Sequence, residues 1–252
     1  MKKYAIYVLT VVVGLCLALQ PLLGLAQFPK LKPPALPQVP GVNANAAKPL
    51  TEQDVVKGLK EALQRGTETA VSSLNKTDGY LGDALLRIAL PEEAERVEQT
   101  LRALPGGPAL MDRLKVQMNR AAEQAAAQAR PIFLQAISDL TIQDGWNILR
   151  GDSVAATTLL RERTQQALLQ RFRPPIDQAL DQVGARQTWQ EVMTRYNQVP
   201  LVQQVNPDLT GHVTERALIG LFRKVAQEET RIRKLPAARV SDLLRRVFGS
   251  KS

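Results

Sequence analysis

Apolar residues recur at helical spacing through most of the chain, and residues 110–137 show the pattern most clearly. At about 100° per residue, one side of such a helix carries Met111, Leu114, Met118, Ala122, Ala125, Ala129, Ile132 and Ala136. The alanines allow a neighbouring helix to approach closely. No segment shows sustained alternation of apolar and polar residues, so the sequence predicts an all-α fold without a sheet.

The N-terminal segment has the layout of a cleavable secretory signal peptide. Lys2 and Lys3 precede a long apolar run that finishes in small residues at Gly24 and Ala26. A retained membrane anchor is the competing interpretation, but a Gln-Pro pair interrupts the run just before the cleavage-like site. We therefore predict a signal peptide over residues 1–26, export of the chain, and no transmembrane span after cleavage.

Cysteine usage excludes several chemistries. The only cysteine, Cys16, lies within the predicted signal peptide, so the exported chain would contain no thiol. Disulfides, zinc–thiolate sites and cysteine nucleophiles are then excluded together. An ordinary hydrophobic core must hold the folded domain.

A proline-rich stretch follows the predicted signal peptide. Residues 27–50 include Pro29, Pro33, Pro34, Pro37 and Pro40. Proline can neither continue a helix nor donate to a sheet, so this stretch is predicted to be a disordered tether in extended conformations. One all-helical domain is predicted over 51–249, and its first helix is expected after Thr51, which forms a capping pattern with Asp54.

Glycines and prolines punctuate the first half of the domain. Gly79 and Gly82 indicate an irregular loop. Pro91 suits the first position of the next helix. Pro131 is expected to kink the long helix of residues 110–137.

The second half of the domain shows similar boundaries. Thr141 and Asp144 repeat the capping pattern at the start of a short helix. Asp152 or Ser153 is expected to cap the next helix, which is predicted to end at the proline pair of residues 174–175. Further helices are predicted at about 176–183, 186–198, 213–235 and 237–248.

Polar residues on the helix of 110–137 raise the question of a site. The helical projection places Asn119 at the edge of the apolar stripe, Glu123 further out and Arg120 almost opposite, so the three side chains are not expected to converge. Asn119 and Glu123, four residues apart, are the best candidates for buried polar contacts that orient this helix. A ligand site at these two residues is the alternative, although buried polar groups usually have partners within the protein.

Other candidates for ligand binding are aromatic or basic. Trp146, and Tyr80 in the irregular loop, could line a groove between helices, or they could pack in the core with their polar atoms satisfied. Arg171 and Arg173 are placed at a helix end, where they could bind an anion or form part of an ordinary basic surface.

The chain lacks the usual catalytic patterns. It has one histidine, His212, which is expected to line or cap a helix start. Neither a multi-histidine zinc site nor a phosphate-binding glycine loop appears, so we predict no metal site and no cofactor. Catalysis by carboxylates that are distant in sequence remains an open alternative.

Positive charge favours anionic partners. The formal net charge is +9, and only 4% of residues are aromatic. An envelope protein, a lipid or an anionic polymer could bind such a surface, whereas nucleic acid is not expected, because single strands need aromatic stacking platforms. The alternative is a solvated basic surface that keeps the protein soluble.

Several ordered phrases, among them GYLGDALLRIALPE, LMDRLKVQMNRAAE, TIQDGWNILRG and VTERALIGLFRKVAQEETRIRKLPAARVSDLLRRVFG, resemble an exported bacterial family. This family is found mainly in Gram-negative organisms and is known as a domain of unknown function. The resemblance covers roughly residues 51–249. It implies a single all-helical domain behind a signal peptide, located in the periplasm, with no assigned activity or catalytic residue. The proline-rich tether is a departure from the family.

Two functional hypotheses follow from these observations. The first is a non-enzymatic periplasmic helical protein that binds a partner, an apolar ligand or an envelope component in a groove between helices. The second is a hydrolase of envelope polymers, which would need a cleft where at least two acids converge and one has a perturbed pKa.

Overall fold

The starts of two helices follow from local capping chemistry at Thr51 and Thr141. The computed structural model describes residues 51–203, 208–239 and 241–249. The hydroxyl of Thr51 accepts a hydrogen bond from the backbone N–H of Asp54, whose carboxylate accepts one from the backbone N–H of Thr51. Thr141 and Asp144 form the same reciprocal pair. Both predicted capping boxes are confirmed, and a helix begins directly after each.

The described residues form helices, with no strand among them, so the predicted all-α fold is confirmed. In chain order the helices are α1 (Glu52–Leu74), α2 (Glu95–Arg102), α3 (Gly107–Ala125), α4 (Ala129–Ser138), α5 (Ile142–Arg150), α6 (Ala155–Gln182), α7 (Ala185–Asn197), α8 (Leu209–Lys234) and α9 (Asp242–Gly249). Short 3₁₀ turns lie at Glu92–Ala94, Ala126–Gln128 and Pro236–Ala238.

The long helix of residues 110–137 is interrupted as predicted. α3 ends at Ala125, and a 3₁₀ turn joins it to α4, which contains Pro131 as its third residue. Pro131 has no N–H to donate to the carbonyl of Ala127, and its ring would clash with that carbonyl in a regular helix. Pro91 behaves differently from the prediction, because it precedes a 3₁₀ turn and α2 begins only at Glu95.

The predicted helix break at Pro174 and Pro175 is wrong. Both prolines lie inside α6, which continues to Gln182. A proline inside a helix costs about 3 kcal/mol, but Phe172 and Ile176 are fully buried on either side of the pair. Burying such side chains contributes about 1.5–3 kcal/mol each, so packing against the core holds the helix through the prolines.

The starts of α6 and α8 also differ from prediction, because the predicted residues do not cap them. Neither Asp152 nor Ser153 is the N-cap of α6; that position is Val154, which has no capping side chain. α8 begins four residues earlier than expected, since the carboxylate of Asp208 accepts a hydrogen bond from the backbone N–H of Gly211 at 2.9 Å.

The core lies where α1, α3, α4, α6 and α8 meet. Of the apolar stripe predicted over 110–137, Ile132 and Ala136 are half-buried and the other members are buried. Phe133 from α4 meets Phe222 from α8 edge to face, with ring centroids 5.9 Å apart. None of the helices described is long and apolar enough to cross a membrane. The predicted signal peptide and tether lie outside the described residues.

Gly220 on α8 is required by close packing. A Cβ atom at this position would lie 2.7 Å from Cε1 of Tyr80, whose ring is fully buried. At Gly66 on α1, by contrast, a Cβ atom would meet Ile232 and Glu228 at ordinary contact distances of 3.6 and 3.7 Å. The two buried helical glycines therefore differ only in the space available to a methyl group.

Replacing Gly220 with alanine is expected to lower the free energy of unfolding by about 1–3 kcal/mol, because the ring of Tyr80 must shift. Gly66→Ala is expected to raise it by about 0.5–1 kcal/mol through helix propensity. Urea denaturation of both variants measures these changes. Stabilisation by Gly220→Ala would contradict the packing argument.

Candidate functional site

Asn119 on α3 is fully buried and hydrogen-bonded to the protein's own chain. Its side-chain carbonyl accepts from the backbone N–H of Ile88 at 2.9 Å, and its amide donates to the backbone carbonyl of Ile88 at 2.9 Å. The amide also donates to the carbonyl of Lys115 at 2.8 Å. Asn119 therefore fastens the irregular loop, residues 75–91, to α3.

Glu123 fastens the same loop one turn further along α3. Its Oε1 accepts hydrogen bonds from the backbone N–H groups of Tyr80 at 3.1 Å and Leu81 at 3.3 Å. Its Oε2 accepts from Arg120 at 2.6 Å, and Arg120 also pairs with Asp78 in the loop at 2.8 Å. The prediction that Asn119, Arg120 and Glu123 do not converge is wrong for Arg120 and Glu123, because the long arginine side chain reaches the residue three positions on.

Tyr80 lies in the core. Its side chain is fully buried, and its hydroxyl donates to the backbone carbonyl of Ala217 on α8 at 2.8 Å. Burial, together with the nearby negative charge of Glu123, raises the pKa of Tyr80 far above its ordinary value. The tyrosine therefore stays neutral and acts as a hydrogen-bond donor that joins the loop to α8.

Trp146 is placed apart from these residues. It lies on α5, half-buried against the core, with the guanidinium of Arg150 5.3 Å from its ring centroid. His212, the fourth residue of α8, contacts the backbone carbonyl of Ala89 through Nε2 at 2.8 Å. The structure thus joins Asn119, Glu123 and Tyr80 in one cluster and leaves Trp146 outside it.

Arg171 and Arg173 lie in the middle of α6, not at a helix end as predicted. Arg173 pairs with Asp208 at 2.7 Å. The backbone N–H of Gly211 and the guanidinium of Arg173 hold the pKa of Asp208 below its usual range. Arg171 is exposed, and its guanidinium has no hydrogen-bond or ion-pair partner among the described residues. The two arginines therefore have different surroundings.

Arg171 lines an open groove between α4 and α6, which we call the α4–α6 groove. Its volume is about 790 Å³. Both helices contribute to its apolar surface, and α6 carries its arginines. The residues that do so include Ile132, Ala136, Arg163, Ala167, Arg171 and Pro175. The four from α6 are spaced four residues apart, which places them along one line of the helix.

Charge in the α4–α6 groove is concentrated on Arg171. The other arginine, Arg163, pairs with Asp144 at 2.6 Å. Burial tends to raise the pKa of Asp144, but hydrogen bonds from Thr141 and Arg163 outweigh it and lower the pKa. The carboxylate of Asp139 accepts from the amide of Gln135. Arg171 is thus the lining cation without a partner among the described residues.

The proline pair changes the backbone beside the groove. Pro174 and Pro175 have no N–H groups, so the carbonyls of Gln170 and Arg171 lack their usual helical donors. Both prolines and Arg171 are on the groove lining. The groove therefore combines a free guanidinium and side-chain amides with an apolar base.

The predicted hydrolase needs converging acids. Asp139 is the carboxylate on the α4–α6 groove, and a separate hollow of about 380 Å³ between α5 and α6 is lined by Asp152 and Glu162. Asp152 accepts a hydrogen bond from the backbone N–H of Val154. Within the described ranges no three acidic, histidine or cysteine residues gather as a metal site would require.

The described residues form an all-helical domain with an open groove between two of its helices. A family model described as protein of unknown function (DUF4197) matches residues 49–249. This match covers most of the chain, so the protein belongs to that family, and the resemblance found in the sequence is confirmed. No curated protein and no solved structure matches the chain.

Proposed function

We propose that the protein is an exported, periplasmic, non-enzymatic helical protein that binds an anionic envelope component in the α4–α6 groove. The observation that carries this proposal is the position of Arg171. Its guanidinium faces an open groove of about 790 Å³ and has no partner among the described residues. An arginine prefers to form paired hydrogen bonds with a carboxylate or phosphate.

The net charge of the chain also supports binding of an anion. The full chain carries +9, and the proposed exported chain, without Lys2 and Lys3, carries +7. This charge attracts anions over a distance that depends on ionic strength. The groove then supplies a local contact for one anionic group. The proposed location depends on the first 26 residues, and cell fractionation of the full chain beside a variant lacking them tests it.

Native mass spectrometry of the protein purified from its own host, without denaturation, tests binding. We expect a stoichiometric bound component with wild-type protein and with Arg173→Gln, and its loss with Arg171→Gln. Arg173 is a matched control, because it lies two residues away on the same helix and its exposed pair with Asp208 contributes little to stability. Equal retention by both variants would contradict binding at the groove.

A further inference from the structure

We infer that the α4–α6 groove binds the carboxyl-terminal end of a short peptide in an extended conformation, with its terminal carboxylate on Arg171. This inference rests on the proposed function and names the class of ligand. The charge of the groove, the polar groups on its walls and its length support this class of ligand.

The charge of the groove fits a ligand with one anionic group. Arg163 is neutralised by Asp144, and Asp139 adds a negative charge to the same lining. A polyanion would place several charges beside a groove with one unpaired cation, and would meet Asp139 unfavourably. A single carboxylate pairs with Arg171 and leaves Asp139 as the one charge of the described lining without an opposite charge, so a ligand with one anionic group meets the least repulsion.

Polar groups on both walls favour a peptide over an acyl chain. Gln128 on one side and Gln178 on the other line the groove, and both are exposed. An amide side chain offers both donors and an acceptor, which is what an extended peptide backbone needs. An acyl chain would satisfy none of these groups, and in an open groove it would keep much of its own surface in water.

The length of the groove accommodates several residues. Its lining on α6 extends from Arg163 to Gln178, which corresponds to about 22 Å along a helix. Arg171 lies near the middle of this length, so a chain with its terminal carboxylate on Arg171 has about 11 Å in either direction. An extended chain rises about 3.3 Å per residue, so about three residues fit between Arg171 and one end of the groove. Successive side chains would then face the apolar base and the solvent in turn.

The protein's own proline-rich segment does not fit this description. Residues 27–50 contain Lys30, Lys32 and Lys48 and no acidic residue. Its positive charge would oppose that of Arg171. The charge favours a separate ligand that carries a carboxylate.

The test is titration of the full, isotopically labelled protein followed by NMR. The probes are N-acetyl-tetraalanine with a free carboxylate, the same peptide with a C-terminal amide, and octanoate as an apolar anion. We expect the free-acid peptide to shift the side-chain amide signals of Gln128 and Gln178. The C-terminal amide should bind at least about ten-fold more weakly, as expected for loss of a charged hydrogen-bond pair.

The variants separate this inference from the proposed function. Arg171→Gln should weaken binding of the free-acid peptide about ten-fold, and Arg173→Gln should not change it. Equal binding of the two peptides, or no binding of either, would overturn the peptide inference. Octanoate binding that depends on Arg171 without peptide binding would overturn it as well, while the proposed anion-binding function would stand.

Discussion

Replacing Glu229 with alanine is expected to lower the free energy of unfolding by about 3–5 kcal/mol, the range for a buried ion pair that loses one member. Glu229 lies on α8 and is 7% exposed. Its carboxylate accepts hydrogen bonds from the backbone N–H of Ala156 at 3.0 Å and of Thr157 at 2.8 Å. These are N–H groups of the first turn of α6, which has no capping side chain of its own.

The same carboxylate holds a mostly buried guanidinium. Arg233 donates to Glu229 at 3.0 Å and to the carbonyl of Ile148, near the end of α5, at 2.7 Å. An anion at the start of α6 and a cation at the end of α5 both complement the helix dipoles. Truncation at Glu229 therefore leaves two helical N–H groups without their acceptor and removes the carboxylate partner of Arg233, whose side chain is 13% exposed and which keeps the carbonyl of Ile148 as its acceptor.

Urea denaturation measures the change, and Glu228→Ala is the matched control. Glu228 is the preceding residue of α8, with a side chain 12% exposed, and it pairs with Arg231, whose side chain is 48% exposed. Loss of this partly solvated pair, in which Glu228 accepts from no backbone N–H of the described residues, should cost about 1 kcal/mol. Glu229→Gln keeps one acceptor and should fall between the two. If Glu228→Ala and Glu229→Ala lost the same free energy of unfolding, the contact of Glu229 with the start of α6 would contribute nothing beyond an ordinary ion pair.

The contact of Glu229 within α8 was predictable from the sequence, and its contacts with the start of α6 were not. Glu229 and Arg233 are four residues apart, the spacing at which opposite charges meet on a helix, and the structure contains this pair. The contact of Glu229 with Ala156 joins residues separated by 73 positions. No local pattern encodes such a contact, so the sequence favoured Asp152 or Ser153 as the cap.

The error at the proline pair also concealed the groove. Arg163, Ala167, Arg171 and Pro175 have a spacing of four residues, which places them on one line only if α6 is continuous. A break at the prolines removes that line and puts Arg171 at a helix end. The helical rule failed because burial of Phe172 and Ile176 outweighs the local preference of proline.

For the cluster on α3, the sequence predicted the buried positions better than their partners. Asn119 and Glu123 lie beside the apolar stripe of a regular helix, and periodicity gives such positions directly. Their partners are backbone groups of Ile88, Tyr80 and Leu81 in an irregular loop. Loop conformation has no period, so the sequence did not indicate these hydrogen bonds.

Replacing Glu123 with alanine is expected to lower the free energy of unfolding by about 2–4 kcal/mol, because two buried N–H groups lose their acceptor. Glu123 is 4% exposed and binds the N–H groups of Tyr80 and Leu81. Arg120 keeps its pair with Asp78, which limits the loss. Urea denaturation gives the free energy, and hydrogen exchange should show faster exchange at Tyr80 and Leu81 than across α6.

A second acid on α3 provides the control for this effect. Asp112 is 65% exposed and pairs with Arg102 at the protein surface, so Asp112→Ala should change stability by less than about 1 kcal/mol. Glu123→Gln should retain part of the stability, since the amide oxygen can still accept a hydrogen bond. If Glu123→Ala were as stable as Asp112→Ala while ligand binding was lost, Glu123 would belong to a binding site. Loss of a structural contact must lower the free energy of unfolding.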